Sequence, residues 1–166
     1  MHGRVEGKTA LITGGGSGLG REAAMHLAEE GANIVVSDLN EDTAQATADE
    51  INAQRQGAAV AARHDVSSEE DWADVLKTTN SQFGSLHILL NNAGISIHGP
   101  IEEVAFETWK QVQEVNVDSV FWGLFGSTTK TTYTPIDGFL YSEELGQVLI
   151  TIVGFYFGNA AASRKT

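Results

Sequence analysis

Between Lys8 and about Leu124 the chain alternates short apolar runs with longer stretches whose apolar positions fall three and four residues apart. Thr9-Ala-Leu-Ile-Thr13 is a run of the buried-strand type. After a glycine-rich turn, Leu19, Ala23, Ala24, Leu27 and Ala28 recur at helical spacing as far as Gly31, a helix stop. Asn33-Ile-Val-Val-Ser37 is β-branched at its centre and predicts a second strand. Residues 40–56 are Ala-rich and polar, which predicts a helix ending at Gly57. A weaker third strand is expected over residues 58–64. Ser67 and Ser68, with Glu70 and Asp71 close behind, mark the start of a helix. Trp72, Val75, Leu76, Thr79 and Phe83 trace its apolar face. Leu86-His-Ile-Leu-Leu90 predicts a fourth strand, and Phe106, Trp109, Val112, Val120 and Leu124 predict one long helix from about Glu107.

Strands alternating with helices imply a parallel sheet covered on both faces. The expected fold class is α/β: a Rossmann-like, doubly wound parallel sheet in three α/β/α layers. The rhythm stops at Gly126. The stretch Gly-Ser-Thr-Thr-Lys-Thr-Thr-Tyr-Thr-Pro135 is Thr-rich and reads as a linker or loop. The chain therefore divides into a dinucleotide-binding domain over 1–125 and a divergent tail over 126–166, together forming one domain of ordinary size.

Thr13-Gly-Gly-Gly-Ser-Gly-Leu-Gly20 sits between the first strand and the first helix. Gly14 permits the sharp turn out of the strand, Gly18 lets the backbone approach a pyrophosphate, and Gly20 lets the helix pack closely. The helix start then offers free N–H groups and the positive end of its dipole to phosphates. The alternative is a plain connecting loop. A Walker-type loop is excluded, because no Lys-Ser or Lys-Thr follows the glycines. Asp38 ends the second strand, where a carboxylate can accept hydrogen bonds from ribose hydroxyls and repel a 2′-phosphate. This favours NAD over NADP. Capping the helix near Asn40 is the other role open to Asp38. Arg21 is the nearest cation to the loop and keeps NADP in play.

Four motifs in order resemble the short-chain dehydrogenase/reductase family over about residues 5–124. They are Thr13 to Gly20, Asp65-Val66 after the third strand, Asn91-Asn-Ala-Gly94 after the fourth, and Asn116 in the long helix. The resemblance implies a cofactor site built from Gly14, Ser17, Gly18, Leu19, Gly20, Asp38, Leu39, Asp65, Val66, Asn92, Ala93 and Gly94. It implies that Asp65 sits near the adenine and that Asn116 is the catalytic-site Asn, holding a water in a proton relay. The chemistry implied is hydride transfer between NAD and an alcohol or carbonyl. From the residues alone, Asn91 and Asn92 are also compatible with turn chemistry. Asp65 is compatible with a helix cap, and Asn116 with a polar packing residue.

The family's catalytic pair, a Tyr with a Lys four residues on, is not found. Four positions after Tyr133, Tyr141 and Tyr156 stand Asp137, Leu145 and Ala160. Lys130 precedes Tyr133 by three, but the Thr-rich context ending at Pro135 is not helical. Ser142 and Tyr156 are spaced much like the family's Ser and Tyr, but the surrounding pattern is out of order. The expectation is a truncated family fold that binds NAD with little or no turnover. The alternatives are a non-catalytic nucleotide-binding or membrane-associated protein, or a chimeric sequence joined near Gly126.

Composition narrows this further. The formal net charge of −12 argues against nucleic acid as a partner. The chain has no cysteine, so disulfides, thiolate nucleophiles and Cys-ligated metals are excluded. His2, His26, His64, His87 and His98 have no metal-binding spacing, and no metal is expected. Met1 to Lys8 is polar and is not expected to act as a secretory signal. Residues 148–157 form the most apolar run of the chain, followed by Arg164 and Lys165. A membrane span there would put the NAD domain outside the cytoplasm, away from its cofactor. The β-branched and aromatic content instead favours a strand in the place of a fifth sheet strand, covering an exposed edge. The expected location is the cytoplasm. The expected partners are a dinucleotide and a small alcohol or carbonyl, with a homo-oligomer as a further expectation.

Overall fold

The computed structural model describes residues 3–97, 99–125, 133–136, 139–142 and 150–153. Its centre is a five-stranded parallel sheet. β1 (Thr9–Thr13) lies between β2 (Asn33–Asp38) and β4 (Ile88–Asn91), with β3 (Ala59–Arg63) beyond β2 and β7 (Ile150–Val153) beyond β4. A separate antiparallel ribbon pairs β5 (Tyr133–Ile136) with β6 (Phe139–Ser142).

β1 is buried at every position, as a central parallel strand must be. Its alternating side chains divide the apolar run between two cores. Ala10 and Ile12 join Ala24, Ile34, Val36, Ala48 and Ile51 on one face of the sheet, under α1 (Gly18–Glu29) and α2 (Glu41–Gln54). Leu11 joins Val35, Trp72, Val75, Leu76 and Leu89 on the other, under α3 (Glu69–Phe83). Two filled faces make the three-layer arrangement that the pattern predicts.

The helix starts are set by local chemistry. Asn40 Oδ1 accepts from the N–H groups of Asp42 and Thr43, so Asn40 is the cap of α2, not Asp38. Ser68 Oγ accepts from Asp71 N–H and caps α3, which removes that role from Asp65. Gly84, in left-handed backbone at φ 85°, closes α3.

Three expectations change. The long helix is not uniform: α4 (Phe106–Gln113) and α5 (Ser119–Phe125) are joined by a π-helical turn over Glu114–Asp118. Nor does α4 bury an apolar face, since none of its residues is buried, and Phe106 and Trp109 stack on each other at 5.5 Å while largely exposed. The Thr-rich stretch is not loop to its end. Tyr133 to Pro135 lie in β5, where Tyr and Thr favour extended backbone and a two-stranded ribbon tolerates Pro. The rest of that stretch, with Lys130, lies outside the described residues, as do His2, His98 and Tyr156. The apolar run contributes β7, which pairs with β4 from Ile88↔Ile150 to Asn91↔Val153. No helix of the described residues is long and apolar enough to cross a membrane.

Candidate functional site

The chain runs from β1 to β2 and β3 on one side of the sheet, then returns to place β4 on the other side of β1. The crevice of a doubly wound sheet opens at that reversal, beyond the C-terminal ends of β1 and β4. A cavity of about 560 Å³ lies there.

Its floor is a cross-link between the two strand ends. Thr13 Oγ1 accepts the N–H groups of Asn92 and Ala93, both at 3.0 Å. Asn92 returns the link, its Nδ2 donating to the carbonyls of Thr13 at 2.9 Å and Gly14 at 3.2 Å. The glycine loop is thus tied to the turn after β4. Ser17 caps α1 without a side-chain hydrogen bond, which leaves the first N–H groups of the helix open. Gly18 has φ 53°, and a Cβ there would meet nothing within 4 Å, so its backbone faces open space. Gly20 is the opposite case. The room a side chain would need is taken by the Gly14 carbonyl and the Asn92 amide.

Asp38 holds the loop from the β2 side. Its Oδ2 accepts Gly16 N–H at 3.0 Å and its Oδ1 accepts Asn40 N–H at 3.1 Å. Arg21 pairs with Glu22 at 2.6 Å and Glu50 at 2.5 Å, which raise its pKa, the Glu50 hydrogen bond most. At the end of β3, Asp65 Oδ1 accepts both Ser67 N–H at 3.0 Å and Ser67 Oγ–H at 2.6 Å. Asp65 N–H donates to Asp71 Oδ2 at 2.8 Å, and that bond is the main reason the Asp71 carboxyl is held below its usual range.

The cavity brings together Gly14, Ser17, Gly18, Leu19, Asp38 and Leu39 from the first βαβ unit. It adds Asp65 and Val66 after β3, and Asn92, Ala93 and Gly94 after β4. Leu19 and Leu39 are 65% and 62% exposed, so two large apolar side chains stand open at its edge. Gly20 lies behind the loop and does not line it. Asn116 does not line it either. Its Oδ1 accepts Ile95 N–H at 2.9 Å and its Nδ2 donates to Ile95 carbonyl at 2.8 Å, fixing the segment after Gly94 to the π-helical turn. A π turn interrupting an α-helix often coincides with such a site.

Sequence reasoning missed six lining residues: His64, Ser67, Ile95, Gln111, Glu114 and Val115. Three of these come from the helix crossing the cavity, and the spacing of Gln111 to Glu114 and Val115, three and four residues on, was the signal available. Among the described residues the lining includes three carboxylates, Asp38, Asp65 and Glu114, and no Lys or Arg.

Residues 8–130 match the short chain dehydrogenase family. The 3-beta-hydroxysteroid dehydrogenase of Comamonas testosteroni is 41% identical over 123 residues, covering 74% of this chain and 47% of that protein. Cyclohexanol dehydrogenase of Acinetobacter sp. is 40% identical over 125 residues, covering 75% of this chain and 49% of that protein. The 3-ketoacyl-(acyl-carrier-protein) reductase from Brucella melitensis, complexed with NADH, aligns with a TM-score of 0.69 at 37% identity. The alignment covers 74% of this chain and 51% of that one. The chain spans about half the length of the curated relatives it matches.

Proposed function

This chain belongs to the short-chain dehydrogenase family, and from that premise we propose that it binds NAD in the crevice between β1 and β4, with little or no turnover of its own. The observation that carries the reading is the cavity lined by the glycine loop, Asp38 and the turn after β4. The residues fit the cofactor. The open backbone at Gly18 and the uncapped start of α1 offer N–H groups to a pyrophosphate. Asp38 stands where ribose hydroxyls can donate to its carboxylate. Leu39, Val66 and Val115 offer apolar walls to a flat base.

Three observations favour NAD over NADP. Asp38 would repel a 2′-phosphate, no Lys or Arg among the described residues lines the cavity, and Arg21 is committed to Glu22 and Glu50. Bound NAD supplies a hydride acceptor at its nicotinamide ring. The chain itself positions: Thr13 and Asn92 hold the floor, and Asn116 holds Ile95 beside the cavity. Proton transfer at the substrate oxygen needs a Tyr whose pKa a nearby Lys lowers. No Tyr among these 166 residues is followed by Lys four positions later. The substrate class of the family is a small alcohol or carbonyl, and the compartment consistent with this reading is the cytoplasm.

The test of turnover is NAD reduction by the purified chain with a panel of secondary alcohols. No turnover above buffer is expected. Turnover that disappears in Asp38→Ala would overturn that half of the reading.

A further inference from the structure

β1 is fastened to β4 at both ends. Near the cavity the fastening is Thr13 to Asn92 and Ala93. At the other end it is Thr9 to His87. The His87 N–H donates to the Thr9 carbonyl at 3.0 Å, and the Thr9 N–H donates back to His87 Nδ1, also at 3.0 Å. The register of the two strands begins one residue later, at Ala10↔Ile88. An imidazole nitrogen thus takes the place of a backbone carbonyl at the first rung. A backbone N–H only donates, so Nδ1 is the bare acceptor and the ring is neutral. Its proton is then on Nε2, 3.4 Å from Ser85 Oγ. Around the ring, β1, β4, β7 and the turn over 84–86 carry no charged residue. Lys8, just before β1, is the charge that acts on it. Burial, and after it Lys8, hold the pKa of His87 below the ordinary 6.5.

We propose that His87 is an acid-released latch: a proton on its ring unfastens residues 3–9 from the sheet and leaves the cavity end of β1 in place. A protonated ring donates from both nitrogens, so Nδ1 then turns a hydrogen on the hydrogen of Thr9 N–H. The bond becomes an opposition of two donors, and the new positive charge lies beside that of Lys8. The ring is only partly buried, so a proton reaches it from solvent. Before Thr9 the chain is held by few bonds. Asn33 N–H donates to the Lys8 carbonyl at 2.7 Å, Gly7 N–H to the Gly31 carbonyl at 3.1 Å and Val5 N–H to the Glu30 carbonyl at 3.2 Å. Arg4 and Glu30 pair on the surface. These bonds run to the end of α1 and the start of β2, and none of their residues lines the cavity. The latch is closed above pH 6.5, where the imidazole is neutral whether folded or unfolded. It opens as pH falls through the lower value of the folded chain.

Amide hydrogen exchange of the intact chain, followed by NMR between pH 7.5 and pH 5, tests this without a variant. After correction for the intrinsic pH dependence of exchange, protection of the Thr9 amide is expected to fall about tenfold, the worth of one hydrogen bond. The fall is expected to follow the titration of the His87 ring in the same spectra. The amides of Asn92 and Ala93, tied to Thr13, are expected to keep their protection and serve as the internal control. His87→Asn places an amide oxygen where Nδ1 stands and does not titrate, so it is expected to hold Thr9 protected at every pH. Thr9 protection that stays level while His87 titrates overturns the proposal. So does a ring that stays neutral until the whole chain unfolds, or the same pH dependence of Thr9 in His87→Asn.

Discussion

The carboxylate of Asp38 accepts the backbone N–H of Gly16 at 3.0 Å, across 22 residues of sequence. One residue thus shapes the glycine loop and, in the proposed reading, receives the ribose. Its two roles are separable by experiment. Asp38→Ala is expected to weaken NAD binding at least about tenfold, since hydrogen bonds to a charged group are worth roughly 1.5–3 kcal/mol. Asp38→Asn keeps an acceptor for Gly16 and is expected to preserve thermal stability while raising affinity for NADP relative to NAD. Calorimetry and a thermal melt read the two effects independently.

Thr13 serves two N–H donors at once. Thr13→Val keeps the shape of the side chain and strips the acceptor from Asn92 and Ala93 N–H. A loss of about 2 kcal/mol is expected, the usual cost of orphaned buried donors. Thr13→Ser retains the hydroxyl and is expected to lose less than half of that. Urea unfolding of both variants checks the difference.

Gly20 has no room for a side chain. Gly20→Ala places a methyl group against the Gly14 carbonyl and the Asn92 amide. Overpacking of this kind costs roughly 1–3 kcal/mol. Here it also displaces the glycine loop, so NAD binding is expected to fall with stability. Retained stability together with full NAD affinity would show that the close contact at Gly20 does not shape the site.

The lower limit of the stable pH range is expected to be set in part by His64. Its folded pKa of about 4 lies below the ordinary 6.5, so the unfolded chain takes up the proton first. The stability this histidine contributes is present above pH 6.5 and is lost as pH falls from there towards 4. Over that window the loss is on the order of 3 kcal/mol, at about 1.4 kcal/mol per pKa unit. His87 adds in the same direction, because burial and Lys8 lower its pKa and its Nδ1 accepts Thr9 N–H. Unfolding free energies measured between pH 7 and pH 4 for the wild type and His64→Phe test this. The variant is expected to show the shallower slope.

The parts of this fold legible in the sequence are those written by period and by glycine. β1, α1 and β2 follow from an apolar run, a helical spacing and a β-branched run within one residue of their observed ends. The glycine-rich turn followed from its place between strand and helix, and the apolar run after residue 148 was readable as the fifth strand. The π-helical turn around Asn116 was not, because one extra residue in a turn leaves no mark on apolar spacing. His64 was hidden for a different reason. A single histidine at the end of a weak strand carries no pattern, and its burial goes with contacts to Ser37, 27 positions away, and Trp72. Asp38 and Asp65 each had a capping alternative that only coordinates could remove, since Asn40 and Ser68 stand two and three residues further on.

The most direct test is calorimetric titration of the purified chain with NAD and, separately, with NADP. Binding of NAD at least tenfold tighter than NADP is the expected result, with the Asp38 carboxylate as its cause. Binding of neither dinucleotide, or equal binding of both, would contradict the assignment of the β1–β4 crevice as an NAD site.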